Sequence, residues 1–461
     1  MQPSRTLVEG SLSRGLILFA LPILFGNVLQ TLNGSVNSVW VGQFLGEASL
    51  AATSNANSVM FLLLGGVFGL SMAATILVGQ NVGAGKLYEA KRVVGTSATF
   101  FTALSALMSA AGWLLSARLL AAMSTPVTSM PLATAYMRVI FLALPFMYMY
   151  AFVMAVLRGA GDSKTPFYFL LLSVALDIAL NPLFIFGLGP IPGFGIAGSA
   201  LATFVAQAVS LVALIVSLYR RKYALCLYRG ELGLLRIDAA IVSTLVRKGV
   251  PMGLQIFVLS LSSVAMITLV NRFGVNTTAA FGACWQVWNY IQMSGFALGM
   301  AVSAVAAQNV GAQKWDRVAA TARIGVLYNF LLTGSLILLV EIFSRPALAL
   351  FLPAGSPALA IAVHANHIVA VTFVFFGIST VLFGVVRATG AVIVPLLILT
   401  LTILVMRFSV AYAFADRWHS DAVWWSFPIT GATLAFCAFL YYKFGGWRTA
   451  RMAPAGVVPG V

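Results

Sequence analysis

Gln80-Asn81-Val82-Gly83-Ala84 recurs 228 residues later as Gln308-Asn309-Val310-Gly311-Ala312, and Lys86 returns as Lys314. At the same offset Gly46 matches Gly274, and Ala51-Ala52 match Ala279-Ala280. Arg158 and Pro166 match Arg387 and Pro395 at an offset of 229. A nearly constant offset over much of each half marks a duplicated unit. The composition says what kind of unit it is. Of 461 residues, 61% are hydrophobic and only 8% are charged, and the mean hydropathy is +0.99. A soluble domain is about 25% charged. This chain has too little polar surface to face water, which excludes a soluble enzyme, a disordered protein and a collagen-like fibre.

A membrane-crossing helix needs about 20 mostly apolar residues. Twelve segments qualify: 15–38, 48–78, 92–115, 133–157, 165–187, 195–219, 249–271, 278–307, 318–342, 359–386, 394–415 and 422–442. The long connection 220–248 carries Arg220, Arg221, Lys222, Arg229, Arg236, Arg247 and Lys248 and splits the spans into two sets of six. An even number of spans per copy gives both copies the same orientation, related by a pseudo-two-fold axis along the membrane normal. The expected fold is an all-α membrane protein of twelve helices in two pseudo-symmetric six-helix bundles. Its parts are a lobe over 1–219, a cytoplasmic linker over 220–248, a lobe over 249–442 and a disordered cytoplasmic tail over 443–461. A cleft between the lobes is the natural place for a substrate.

The net charge of +16 is a matter of topology. With the N-terminus in the cytoplasm, inner segments hold 21 Lys and Arg, and outer segments hold only Arg118, Arg272, Arg345 and Arg417. The positive-inside rule selects that orientation. No basic run is interleaved with aromatics, so nucleic acid is not an expected partner. Cys226, Cys284 and Cys437 are far apart and show no CxxC spacing, so neither a disulfide framework nor a zinc site follows. Arg5 and Arg14 precede an apolar run with no small-residue cleavage site, which reads as a retained first span. Gly83-Ala84-Gly85-Lys86 is not a phosphate loop, because Gln80 and Leu87 stand where a glycine and a hydroxyl residue are required.

Several stretches resemble the multidrug and toxic compound extrusion (MATE) transporters of the multidrug/oligosaccharidyl-lipid/polysaccharide exporter superfamily. They are Val41-Gly42 with Gly46 and Leu50-Ala51-Ala52, the Gln80–Ala84 turn, Leu157-Arg158-Gly159-Ala160-Gly161-Asp162-Ser163-Lys164-Thr165-Pro166, Asn181-Pro182-Leu183-Phe184-Ile185-Phe186-Gly187, and Gly195–Thr203. The resemblance implies two six-helix bundles, alternating access, and efflux of organic cations in exchange for Na⁺ or H⁺. It also places an ion site among the helices of the first half. This chain departs from the family pattern in carrying Asn37 where an Asp is frequent, and in the order Asp177 then Asn181 where Asn precedes Asp. Gln255 stands near the place of a family Glu, and 359–386 contains no acid, which puts a second-half ion site in doubt.

An ionisable residue inside a span is expensive and marks function. Of eleven acids only Asp177 lies well inside one. Asp177 and Asn181 are i, i+4 and share a helical face with Ser173. Asn27, Gln30, Asn33 and Asn37 line one stripe of the first span, and Thr203 and Gln207 share a face of the sixth. Asp177, Asn37, Asn181 and Thr203 offer hard oxygens and one negative charge, which suits a proton or Na⁺. The bland reading of the amides is interhelical glue worth about 0.6 kcal/mol per contact. Trp285, Trp288, Asn289 and Gln292, together with Met147, Tyr150, Gln30 and Asn33, are candidates to line a substrate cleft, because aromatics and Met make adaptable walls for flat cations. Arg138 and Arg407 lie within spans and read as snorkelling or pairing with helix ends. His364 and His367 form a one-turn pair with no nearby acid in sequence, weak as a metal site and open to a proton-sensing role.

The sequence thus describes a secondary antiporter of the cytoplasmic membrane, not an enzyme, with both termini inside. It would export amphipathic, often cationic compounds in exchange for H⁺ or Na⁺. No cofactor or bound metal is expected beyond that ion, the lipid bilayer is its surrounding, and a monomer is expected. The alternatives are a lipid-linked oligosaccharide flippase of the same superfamily, which would need a strongly basic cleft, and a non-transporting scaffold or channel.

Overall fold

A computed structural model describes residues 7–123, 125, 129–188, 191–353 and 355–452. The helices follow in chain order: α1 (Leu12–Gly83), α2 (Leu87–Ala122), α3 (Met130–Gly159), α4 (Lys164–Phe186), α5 (Ile196–Arg220), α6 (Ala239–Val270), α7 (Val275–Gly311) and α8 (Trp315–Ile342). Then come α9 (Ser344–Ala349), α10 (Pro357–Val369), α11 (Thr372–Arg387), α12 (Ile393–Thr400), a π-helical turn (Leu401–Met406), α13 (Arg407–Ala413), α14 (Ala415–Trp418) and α15 (Ser420–Phe444). The sole sheet among the described residues is the two-residue ladder of β1 (Gly187–Leu188) and β2 (Ile191–Pro192). α1 breaks at Gly46, whose φ of 83° only glycine adopts without strain. Counting that break, α12 through α13 as one helix and the pair α10–α11 as one bent span, twelve apolar helices among the described residues are long enough to cross a bilayer. The α10–α11 pair bends by 41°.

The chain forms two compact units, Phe25–Gly249 and Thr6–Leu24 with Val250–Met452. The beginning of α1 therefore clusters with the second unit, and the beginning of α6 with the first. Each exchange falls beside a proline inside the helix, Pro22 and Pro251. Linker residues 229–238 pack along α2, where Lys91 pairs with Glu231 at 2.7 Å, Arg92 with Asp238, and Thr99 Oγ1 donates to the Leu235 carbonyl at 2.7 Å. Part of the expected disordered tail is folded: Trp447 is buried, stacks on Tyr442, and its carbonyl accepts from Thr389 Oγ1 at 2.8 Å. Residues 453–461 of that tail lie outside the described residues.

Small residues let helices meet at backbone distance, the usual solution where the surrounding lipid is as apolar as leucine. At Gly159 of α3 an added Cβ would stand 2.5 Å from the Thr75 carbonyl of α1. In the second unit the core is aromatic: Trp288 and Trp424 are fully buried around Phe281, with Phe373 and Phe427 beside them.

Candidate functional site

The first unit builds its polar centre from three helices. α4 is set by its start: Asp162 Oδ1 accepts from the Lys164 and Thr165 amides at 3.1 and 2.9 Å, which satisfies free donors of the first turn. That start, after Gly161 in a left-handed conformation, fixes the phase that turns Asp177 and Asn181 inward. α5 is brought close by Gly198, where a Cβ would lie 2.1 Å from the Phe184 carbonyl. This approach carries Thr203 to Asp177. The amide stripe of α1 supplies the third wall.

Asp177 is 2% exposed and Asn181 is 0% exposed. Asp177 Oδ2 accepts from Asn33 Nδ2 at 2.7 Å and Asn37 Nδ2 at 2.9 Å. Its Oδ1 accepts from Thr203 Oγ1 at 3.0 Å and, more weakly, from Asn181 Nδ2 at 3.3 Å. Asn181 Nδ2 also donates to Asn37 Oδ1 at 3.0 Å and to the Asp177 carbonyl at 2.8 Å. All four expected ion-site residues therefore meet. Asn33, expected at a substrate cleft, also bonds Asp177, because its position one turn before Asn37 puts it on the same helical face.

A small, partly enclosed cavity reaches this cluster, lined by Gln30, Asn33, Ser173, Asp177, Thr203 and Gln207 with Leu170, Val174 and Ala206. Asn33 Oδ1, Asn181 Oδ1 and Gln207 Oε1 are buried without a hydrogen-bond donor. Among the described residues no Lys, Arg or His pairs with Asp177. A buried carboxylate held by neutral donors, beside unsatisfied amide oxygens, is a place that can take a positive charge. Gln207 was missing from the expected ion site. Its signal was the i, i+4 spacing from Thr203.

The other expected cleft residues come from both units. Trp288 is 1% exposed and donates from Nε1 to Asn366 Oδ1 at 3.0 Å. It is a core residue of the second unit, and its indole nitrogen found the buried partner that such a nitrogen requires. Tyr150 is likewise buried. Trp285 is half-buried and stacks on Phe281 at 5.8 Å, and Asn289, Gln292 and Met147 are half-buried. Gln30 is exposed and borders the Asp177 cavity. Arg407 lies over the Phe427 ring at 4.4 Å and donates to Thr430 Oγ1, and Arg138 lies over Trp113 at 4.9 Å. The histidine pair has acids after all. Glu341 of α8 meets His367, and Asp421 of α15 meets His364, from 26 and 57 residues away in sequence. No metal-binding group of three or more His, Cys, Asp or Glu occurs among the described residues.

The second unit does not repeat the Asp177 cluster. At the 229 offset, Asp177 corresponds to Met406 and Asn181 to Val410. The π-helical turn Leu401–Met406 occupies that stretch.

The MatE family model matches residues 22–183 and 251–413. The probable multidrug resistance protein YoeA of Bacillus subtilis is 35% identical over 436 residues, covering 94% of each chain. The probable multidrug resistance protein NorM of Thermotoga maritima is 24% identical over 400 residues, 86% of this chain and 84% of that one. A solved structure described as the outward-facing conformation of a multidrug resistance MATE family transporter superposes with a TM-score of 0.88 at 20% identity, over 95% of this chain and 96% of that one.

Proposed function

Because the chain belongs to the MatE family of membrane transporters, we propose that it is an ion-coupled antiporter that exports amphipathic, often cationic organic compounds across the cytoplasmic membrane. Transporter and not enzyme is what the family membership itself gives. The coupling, the cargo charge and the membrane are our reading. The observation that carries it is the Asp177 cluster: one buried carboxylate, four neutral donors, and three unpartnered amide oxygens around a cavity. H⁺ would titrate the carboxylate. Na⁺ would take the carboxylate together with amide and hydroxyl oxygens, the hard donors it prefers. Ion and cargo then need only favour different members of one pair of global states for one gradient to drive the other.

The test is efflux of ethidium from proteoliposomes under separately imposed H⁺ and Na⁺ gradients, with wild type and Asp177→Asn. Efflux driven by one gradient and lost in the variant is the expected result. Efflux unaffected by either gradient, or unchanged in the variant, rejects the coupling role.

A further inference from the structure

The second unit has no copy of Asp177 at the 229 offset, and two acids at the ends of its helices meet histidines, the first being Glu341 in the last turn of α8. A carboxylate there opposes the helix dipole, whose C-terminal end is already negative. Its partners offset that. Glu341 Oε2 contacts His367 Nδ1, and Glu341 Oε1 accepts from Asn366 Nδ2 at 3.1 Å. His367 closes the last turn of α10, where a positive charge is favoured by the dipole of its own helix. Asn366 is 0% exposed, and its Oδ1 accepts from Trp288 Nε1 at 3.0 Å. A hydrogen-bonded chain therefore runs from the aromatic core through Asn366 and Glu341 to a half-exposed imidazole. One turn earlier on α10, His364 Nε2 stands 3.1 Å from Asp421 Oδ1 in the first turn of α15.

We propose that Glu341 and His367, with the adjoining His364–Asp421 pair, form a proton-binding site of the second unit that ties α8, α10 and α15 together when the imidazoles are charged. The geometry has what a proton-operated clasp needs. Imidazole changes charge between about pH 5 and 8. Each imidazole faces one carboxylate on a different helix, so each proton bound converts one contact into an ion pair. The clasp closes just before the break at which α10 bends by 41° into α11. The other groups packed against α10 do not compete. α7 presents Cys284, whose Sγ donates to the Ala362 carbonyl, and neutral Trp288. α9 presents Arg345, which is exposed and makes no ion pair within 4.0 Å among the described residues. At the 229 offset His367 corresponds to Arg138, which makes no ion pair among the described residues and lies over Trp113. The clasp therefore belongs to the second unit.

The chain has three histidines, His364, His367 and His419, which makes direct titration practicable. Ring-carbon NMR of the full-length protein in detergent, from pH 5 to 8.5, would follow each imidazole in wild type and Glu341→Gln. Loss of the carboxylate should change the His367 curve and leave that of His419 in place. A His367 curve identical in both proteins overturns the site. The second measurement is the pH profile of ethidium efflux, and its interpretation rests on the transporter reading. His367→Gln should flatten the profile between pH 5.5 and 7.5 while retaining transport at one pH, and a profile parallel to wild type overturns the clasp. Absence of efflux in wild type at every pH would strike the transporter reading alone, because the NMR result stands without it.

Discussion

Asn33 Nδ2 of α1 donates to Asp177 Oδ2 of α4 at 2.7 Å, across 144 residues of sequence. It is the shortest of the four side-chain bonds to that carboxylate. A buried anion is stable only when neutral donors replace the water it lost. Asn33 therefore contributes to the charge-holding capacity of the site while also lining its cavity.

The direct expectation is that Asp177→Asn abolishes gradient-driven ethidium efflux and leaves membrane insertion and folded yield intact. Asn33→Leu should weaken efflux without ending it, because Asn37 still serves the same oxygen. Equal activity of Asn33→Leu and wild type, measured as initial rates per folded protein, would show that the Asn33–Asp177 bond does not serve coupling.

The linker latch should depend on pH. Glu231 is held below the usual carboxylate range by the Lys91 ammonium, with help from the Tyr228 amide. At Asp238 partial burial pushes the carboxyl up, but the hydrogen bond from Arg92 and the amides of Ile241 and Ala240 outweigh it and the net shift is downward. Groups depressed in the folded state stabilise it above their unfolded values, about 4.3 for Glu and 3.9 for Asp, and lose that contribution as pH falls through the folded values. Hydrogen exchange of residues 228–238, corrected for intrinsic rate, should therefore rise as pH drops below about 4. The double variant Glu231→Gln with Asp238→Asn should show the fast rate at pH 7 already. A linker equally protected in both proteins at pH 7 would mean the ion pairs do not hold it.

Much of this architecture is legible in the residues because the bilayer imposes one local rule. Backbone groups must be satisfied within each span, so apolar length reads directly as helix. The Gln80–Ala84 repeat then supplies the duplication. The Asp177 cluster was legible in part, because i, i+4 spacing fixes which residues of one helix share a face, as with Asp177 and Asn181. Contacts between helices are not periodic in sequence. Nothing in the spacing of His364 and His367 points to Glu341 or Asp421, and nothing around Trp288 separates a core indole from a cleft indole until Asn366 is seen beneath it. The folding of Trp447 onto Tyr442 escaped for a related reason: a Gly- and Pro-rich tail can still anchor through one aromatic.

Membrane orientation needs a better reporter than the native thiol. Cys226 is buried, and burial pushes its thiol up, away from the reactive thiolate. Arg229 is exposed in the linker. Arg229→Cys, with the three native cysteines replaced by serine or alanine, should react with impermeant maleimide in inverted vesicles and not in intact cells. Labelling in intact cells would reverse the orientation derived from the basic residues.

Gly159 should be intolerant of even one methyl group. The Cβ of Gly159→Ala would lie 2.5 Å from the Thr75 carbonyl, and backbone cannot step aside as a flexible side chain does. Overpacking of this kind costs about 1–3 kcal/mol. The thermal midpoint of the purified variant should fall accordingly, and an unchanged midpoint would mean that α1 and α3 separate there at no cost.

The exchanged order of acid and amide on α4 gives the most discriminating experiment. If the cluster is one site, Asp177→Asn combined with Asn181→Asp returns the charge four residues away, about 6 Å along the helix. Asn181 already bonds Asn37 and approaches Asp177 Oδ1, so a carboxylate at 181 inherits Asn37 as a donor once that amide turns over. Its access is poorer, however. The cavity is lined by Asp177 but not by Asn181, which is fully buried. Asn181 Nδ2 also donates to the Asp177 carbonyl beside Pro182, and that bond is lost in the exchange. We therefore expect the double variant to recover part of the efflux missing in Asp177→Asn, at rates below wild type and with lower folded yield. A double variant as inactive as the single one, at equal folded protein, would show that position 181 serves the helix backbone and that the ion site is centred on Asp177 alone.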